Sequence, residues 1–327
     1  MASFRQRNNK WQARVSREGY PDQVKTFELK ADAERWARAT ESEMDKGVFV
    51  DTHEARRTSL REIILRYVSE VTPTMKSVVE DTIRLKAIAR KPIASCALTN
   101  LSAARVAAYR DERLQEVSSG TVIRELAYLS SIINHARREW GINIQNPIQH
   151  VRKPNAPKGR TRILSSEERV KLLLALEPTG RKNIWTKAIV ILALESAMRR
   201  SELLALKWEN IDLARQTALL PDTKNGTARR VPLSKNAVEL LSTLPKSISG
   251  VVFPIKFFTV DAAFKRALKK TDIVDFHFHD LRHTAITAMA EKLPNLMELS
   301  AVTGHKSLAM LKRYYHPDVE DLARKLG

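Results

Sequence analysis

The chain has 327 residues, 43% of them hydrophobic, which is enough for two or three domains with packed cores; a formal net charge of +19 points to a polyanionic partner. No apolar run approaches the ~20 residues needed to cross a bilayer, and the N-terminus carries no signal-peptide core, so a cytoplasmic protein on nucleic acid, in a bacterium on the nucleoid, is expected and a membrane partner is not. Cys96 is the single cysteine, which excludes an intramolecular disulfide and a cysteine-rich zinc module and leaves a core thiol as the expectation.

Residues 1–50 read as a small module. Trp11, Ala13 and Val15 alternate with polar residues as a half-buried strand does, Gly19 to Pro21 supplies a turn, and Val24 to Glu28 returns as a second strand. The spacing of Ala33, Trp36, Ala37 and Thr40 predicts a helix from Ala31 to Lys46, ended by Gly47. Arg5, Arg7, Lys10, Arg14 and Arg17 all precede the first acid, Glu18, so this edge is either a DNA contact or a solvated basic surface.

Residues 55–150 read as a helical domain. Ser59 and Glu62 have capping-box spacing ahead of Ile63, Ile64, Tyr67 and Val68, and further helices are expected at about 76–90 and 102–115. The longest is expected from Thr121 to Trp140, with Val122, Leu126, Leu129, Ile132, Ile133 and Ala136 on one face and Gly141 as terminator. Residues 151–163 then carry Arg152, Lys153, Lys158, Arg160 and Arg162, with Pro154, Pro157 and Gly159 and no acid. That composition predicts an extended interdomain linker able to lie along phosphates.

Residues 164–327 hold the chemistry. Ser165 or Ser166 caps a helix toward Leu176, the apolar run Ile184 to Leu194 predicts a buried helix, and the chain turns at Glu195 to Met198. Arg199 precedes a helix expected over Ser201 to Lys207, so its guanidinium and unpaired backbone N–H groups are placed to meet one phosphate. Glu202, three residues on, is placed to orient that guanidinium, although Arg-x-x-Glu by itself is also a common surface ion pair. Thr217 to Pro221 and Ala228 to Leu233 flank Asn225-Gly226, a hairpin signal that sets Lys224 near a tip, where an ammonium can protonate a leaving oxygen; Arg229 and Arg230 follow as steering groups for the DNA backbone. His279 and Arg282 share a face if a helix begins there. His277, His279 and His283 also suggest a metal site, but a further cation amid so many is disfavoured, and no GxxxxGK[ST] loop occurs, so neither metal nor other cofactor is expected. His305 follows Gly304, and Tyr314 and Tyr315 are adjacent candidate nucleophiles.

The ordered set Arg199 in SAMRRSE, Lys224 in DTKNGTARRVPL, His279 and Arg282 in FHDLRHT, His305 in TGHKS and Tyr314 in LKRYYHP resembles the tyrosine site-specific recombinases of the phage integrase family. The stretch TVIRELAYLSSIINHARREWGI before Asn146-Pro147 is similar to the last helix of that family's core-binding domain, which grips DNA opposite the catalytic domain. The resemblance implies a mainly α, multidomain architecture with small β-sheets: an arm-type DNA-binding module, a helical core-binding domain and an α+β catalytic domain. Family spacing to His305 and His316 selects Tyr314 over Tyr315 as nucleophile. The implied reaction is DNA strand exchange through a 3′-phosphotyrosyl link, with Arg199, Arg282, His279 and His305 on the phosphate and Lys224 as proton donor. The implied assembly is a homotetramer on two double-stranded sites, with accessory DNA-bending or directionality proteins as further partners. Integration and excision of a mobile element is the leading role; a DNA invertase or resolvase with the same chemistry, or a non-cleaving DNA-binding regulator, is the alternative. Relatives carry Thr-Gly where this chain has Ser196-Ala197, a change that a negative φ at Ala197 would accommodate.

Overall fold

The computed structural model describes residues 2–49, 51–178, 183–221, 228–315 and 319–327. Contacts divide the chain into two units, residues 1–158 and 159–327.

The first unit opens with a three-stranded antiparallel sheet, β1 (Ala2–Arg7), β2 (Lys10–Val15) and β3 (Gln23–Phe27), backed by helix α1 (Lys30–Asp45). Ala13 and Val15 pack on Ala33, Ala37 and Met44, so the period-two pattern of β2 and the helical pattern of α1 close one small core. Strand β1 is an addition to the sequence reading. Its signal is Asn8-Asn9, both at positive φ (45° and 59°), which turns the chain tightly enough for Arg7 to pair with Lys10.

Five helices come next: α2 (His53–Arg57), α3 (Leu60–Glu70), α4 (Val78–Ala89), α5 (Ala103–Glu116) and α6 (Ser119–Glu139). The Ser59–Glu62 capping box is formed, Glu62 accepting from the Ser59 N–H at 2.6 Å and Ser59 Oγ from the Glu62 N–H at 3.2 Å. The expected apolar face of α6 is the buried one, and Gly141 follows it at φ 67°. Asn146 is buried and gives its amide to Ser130 Oγ (2.8 Å) and Asn134 Oδ1 (3.1 Å), pinning the chain's exit against α6. Arg113 on α5 and Glu125 on α6 form a two-pronged pair at 2.9 and 2.7 Å, joined by the Tyr109 hydroxyl, a polar contact inside the bundle that helical periodicity does not signal. Cys96 is buried.

In the second unit α7 (Ser166–Ala175), α8 (Trp185–Ser196) and α9 (Arg200–Leu204) lead to a second antiparallel sheet, β4 (Ile211–Asp212), β5 (Thr217–Leu220) and β6 (Arg229–Pro232). After it come α10 (Lys235–Thr243), α11 (Phe257–Lys270), α12 (Asp280–Lys292), α13 (Leu296–Thr303), α14 (Leu308–Leu311) and α15 (Val319–Leu326). Ser165 caps α7 with Glu168. Apolar α8 runs through the core, where Ile189, Val190, Leu192 and Ala193 meet residues from α7, α10, α11 and the sheet. The helix expected to reach Lys207 stops at Leu204, because the next residues leave to pair with a distant segment: Val252 N–H donates to Leu206 (2.8 Å) and Trp208 N–H to Gly250 (2.9 Å).

Two sequence readings change here. Arg160 and Arg162 were expected to face DNA from an acid-free linker, but acids arrive from elsewhere in the fold. Arg160 grips Asp280 through Nε and Nη2 (3.1 and 2.9 Å) and Asp275 through Nη1 (2.9 Å), while Arg162 clasps Glu168. The end of the linker is thus part of the second unit, and Leu164 N–H adds a bond to Thr284 Oγ1 at 3.0 Å. Arg152, Lys153 and Lys158 are exposed. Ala197 is also not at negative φ: it caps α8 in the left-handed region, φ 53°, where a Cβ costs about 1–2 kcal/mol.

Candidate active site

Arg199 is the residue before α9, and Glu202 lies one turn on. The Glu202 carboxylate takes the Arg199 N–H at 2.8 Å, as the returning half of a capping box, and the Arg199 Nη1 at 2.8 Å. It also accepts both terminal nitrogens of Arg229, each at 2.9 Å, from β6. Burial pushes this carboxyl up, but Arg229 and the Arg199 N–H more than offset it and hold it at about 2. The Arg-x-x-Glu pair is therefore a buried clamp rather than a surface pair. Arg229 is not the steering residue its sequence context suggested: its side chain is 12% exposed and is spent on Glu202. Arg230, the next residue on the strand, is exposed.

Helix α12 supplies the next groups. Arg282 is 3% exposed and donates to two carbonyls, Ala197 at the end of α8 and Thr303 at the end of α13, the latter at 2.6 Å. The left-handed turn at Ala197 is what aims its carbonyl at this guanidinium. Burial, then Arg199, bring Arg282 down to about 10, so it keeps its charge at neutral pH. Arg199, His279 and Arg282 line one pocket, together with Arg200, Phe257 and Phe278. Arg200 was not singled out from the sequence; its guanidinium stacks 3.7 Å over Phe257 and pairs with Asp261 at 2.8 Å, forming a wall of the pocket.

His305 follows Gly304, the left-handed cap of α13 at φ 69°. Its Nδ1 meets Thr303 Oγ1 at 2.8 Å. Loss of solvent, then Arg282 and Arg199, lower His305 to about 4; His279 is lowered to about 4 by loss of solvent, then by His283 and Arg282. Both are neutral imidazoles at pH 7, able to donate one hydrogen bond each. Gly304 is required twice over, by its φ and because a Cβ there would lie 2.8 Å from Arg229 Nε.

Tyr314 lies in the single helical turn Lys312–Tyr314 and is 8% exposed, packed with Ala285, Ile286, Leu299 and Leu311. Its ring stacks on His283 (centroids 5.8 Å apart, 26° between planes), and its hydroxyl is hydrogen-bonded to His283 Nδ1. Burial raises the phenol, with Arg313 and Arg282 opposing. Tyr315 is half-buried. The three histidines of the metal reading go to different places: His277 to Asp280, His279 to the pocket and His283 to Tyr314. Among the described residues no group of three or more His, Cys, Asp or Glu side chains is placed to hold a metal ion. Lys224, Asn225-Gly226 and His316 lie outside the described residues, and the last described pair of β5 and β6 is Leu220 with Arg229.

The family model of the phage integrase family matches residues 162–321, and that of the phage integrase N-terminal domain matches residues 56–154. A shufflon-specific DNA recombinase of Escherichia coli is 40% identical over 280 residues, 83% of this chain and 72% of that one. The chain belongs to the phage integrase family. Within that family it is also similar to the integrase of Salmonella phage P22, 28% identical over 60% of this chain and 54% of the phage protein. Among solved structures, a lambda integrase dimer bound to a COC′ core site superimposes with a TM-score of 0.65 at 22% identity, covering 96% of this chain and 94% of that one, which shows a shared fold. Two residues of this integrase-family site escaped the sequence reading. Asp280 was passed over as the spacer of FHDLRHT yet anchors Arg160, and His283 was weighed only as a metal ligand. The signal for His283 was its position: one residue after an arginine aimed inward, it starts the next face of the same helix turn.

Proposed function

We propose that this chain is a site-specific DNA recombinase that cleaves and rejoins double-stranded DNA through a 3′-phosphotyrosyl intermediate, serving the integration and excision of a mobile element. The observation that carries this reading is the convergence of Arg199, His279 and Arg282 on one pocket within a unit that also buries Tyr314 beside Arg282. The Tyr314 oxygen attacks phosphorus and the bond to the 5′ oxygen breaks. Arg199, Arg282, His279 and His305 stabilise the charge on the non-bridging oxygens, and Lys224 gives the departing oxygen its proton. A 5′ hydroxyl from a partner strand reverses the step, so bond energy is kept in the covalent link and no ATP is consumed. Glu202 is a positioning residue that fixes Arg199, and Arg282, besides its charge on the phosphate, ties the ends of α8 and α13 together. Four protomers act on two DNA sites; in support, a lambda integrase tetramer bound to a Holliday junction resembles this chain with a TM-score of 0.63.

Residues 1–50 act as an arm-type DNA-binding module, residues 55–150 as the core-binding domain and residues 164–327 as the catalytic domain. The register Ser3↔Arg14, Arg5↔Gln12 and Arg7↔Lys10 supports the first assignment: it puts Arg5, Arg7, Lys10 and Arg14 on the sheet face opposite buried Ala13 and Val15. A second reading, DNA inversion, is favoured by the 40% identity to the shufflon-specific recombinase. A nicked suicide substrate tests the chemistry: wild type should form a covalent adduct, Tyr315→Phe should too, and Tyr314→Phe should bind DNA without forming one. An adduct in Tyr314→Phe would remove the nucleophile assignment. Sequencing the DNA that flanks the gene separates the two roles: direct repeats support integration and excision, and inverted repeats around an invertible segment support inversion.

A further inference from the structure

If Tyr314 is the nucleophile, its own proton needs a destination. Resting on that assignment, we propose that His283 is the general base of DNA cleavage: its Nδ1 takes the phenolic proton as the Tyr314 oxygen attacks phosphorus, and returns it when the phosphotyrosyl bond is broken. The geometry is specific. Among the described residues the Tyr314 hydroxyl has no other hydrogen-bond partner, and the two rings are stacked, so the hydroxyl and Nδ1 are held together by the packing of α12 against the Lys312–Tyr314 turn. His283 also adjoins Arg282 on α12, so the base and a phosphate-site cation are carried by one rigid element.

The surroundings keep the imidazole ready to accept. Loss of solvent, then Arg313 on the turn, lower its affinity for a proton, with Arg282 on its own helix and Arg160 adding to this and Asp280 opposing; the His279 ring sits edge-on at 5.2 Å. A neutral ring with its hydrogen on Nε2 presents a lone pair at Nδ1. The proton balance closes: the O–H bond breaks as N–H and O–P form, the P–O5′ bond breaks, and the 5′ oxygen is protonated by the separate acid. In rejoining, the imidazolium protonates the leaving phenolate. Base and acid thus exchange roles between the two half-reactions.

His283→Asn tests this, because an amide oxygen near the Nδ1 position accepts the same hydrogen bond and takes up no proton. Single-turnover cleavage should fall about a hundredfold or more, with DNA affinity unchanged. Placing ring fluorines on Tyr314, which makes the phenol a stronger acid, should restore about tenfold or more in His283→Asn while changing the His283 protein little. Wild-type rates in His283→Asn, or the same response to fluorine in both proteins, would overturn the proposal. If His283→Asn does not fold, the same comparison in His283→Ala, which leaves no base at that position, decides. The failure of the parent assignment looks different: an adduct persisting in Tyr314→Phe removes the nucleophile itself, whereas a Tyr314-dependent adduct formed at full rate without His283 removes only the base.

Discussion

Glu202→Gln removes one charge and almost no volume, so it isolates the electrostatics of the clamp. The carboxylate is buried and satisfies the Arg199 N–H, the Arg199 side chain and both terminal nitrogens of Arg229. Its fall from 4.5 to about 2, at about 1.4 kcal/mol per pH unit, corresponds to about 3 kcal/mol in favour of the ionised form. Breaking a buried pair by removing one partner costs about 3–5 kcal/mol, because the other charge is left uncompensated. The two routes agree. A loss of about 3 kcal/mol in a unit of this size lowers the melting temperature by about 6–12 °C. Thermal unfolding followed by circular dichroism at pH 7 reads this directly. The dependence on pH has a definite sign: a depressed carboxyl stabilises the fold above pH 4.5, and that contribution drains away as pH falls toward 2. The double variant Glu202→Gln with Arg229→Met should lose less than the two single losses combined, since it removes both halves of the pair. If Glu202→Gln melts within about 1 °C of wild type, a shift well below that expected for a buried charge, the clamp is not holding Arg199 by charge.

Three further outcomes are expected. Lys224→Ala should be badly impaired on normal DNA yet regain much of its cleavage on a 5′-bridging phosphorothiolate, whose leaving thiolate needs no proton, while Arg199→Ala should not be rescued; equal rescue of both would undo the division between acid and charge stabiliser. His305, held to about 4 against an ordinary 6.5, takes up a proton in the unfolded chain first, so stability is full above pH 6.5 and falls as pH drops toward 4; His305→Gln should flatten the dependence of melting temperature on pH between these limits, and an unchanged slope would contradict the shift. Gly304→Ala should cost about 2 kcal/mol or more, from the positive φ and the approach to Arg229 together, and a wild-type urea midpoint would show that the cap relaxes without loss.

What the sequence alone determined is whatever depends on near neighbours or on residue order. The Ser59 and Ser165 caps, the buried stripe of α6 and the Gly141 terminator are each decided within a turn or two of helix, where backbone hydrogen bonds and the 3.6-residue period act. The ordered chemical residues were legible for a different reason, since residue types set what chemistry is possible before any geometry is known. Even locally the reading missed β1, although Asn8-Asn9 announced its turn. The tertiary structure alone decided how the charges are spent. Arg160 finds Asp280 across 120 residues, Arg229 finds Glu202 across 27, and Tyr314 finds His283 across 31. A local pattern shows Arg160 as a cation in an acid-free linker and Arg229 as a cation beside a hairpin; only the fold brings a carboxylate to each, leaving Arg160 exposed but paired and largely burying Arg229. Ala197 makes the same point in the backbone. Its left-handed φ has no local cause, because alanine prefers the helix it terminates, and is sustained by the Arg282 hydrogen bond and close packing that hold its carbonyl in place.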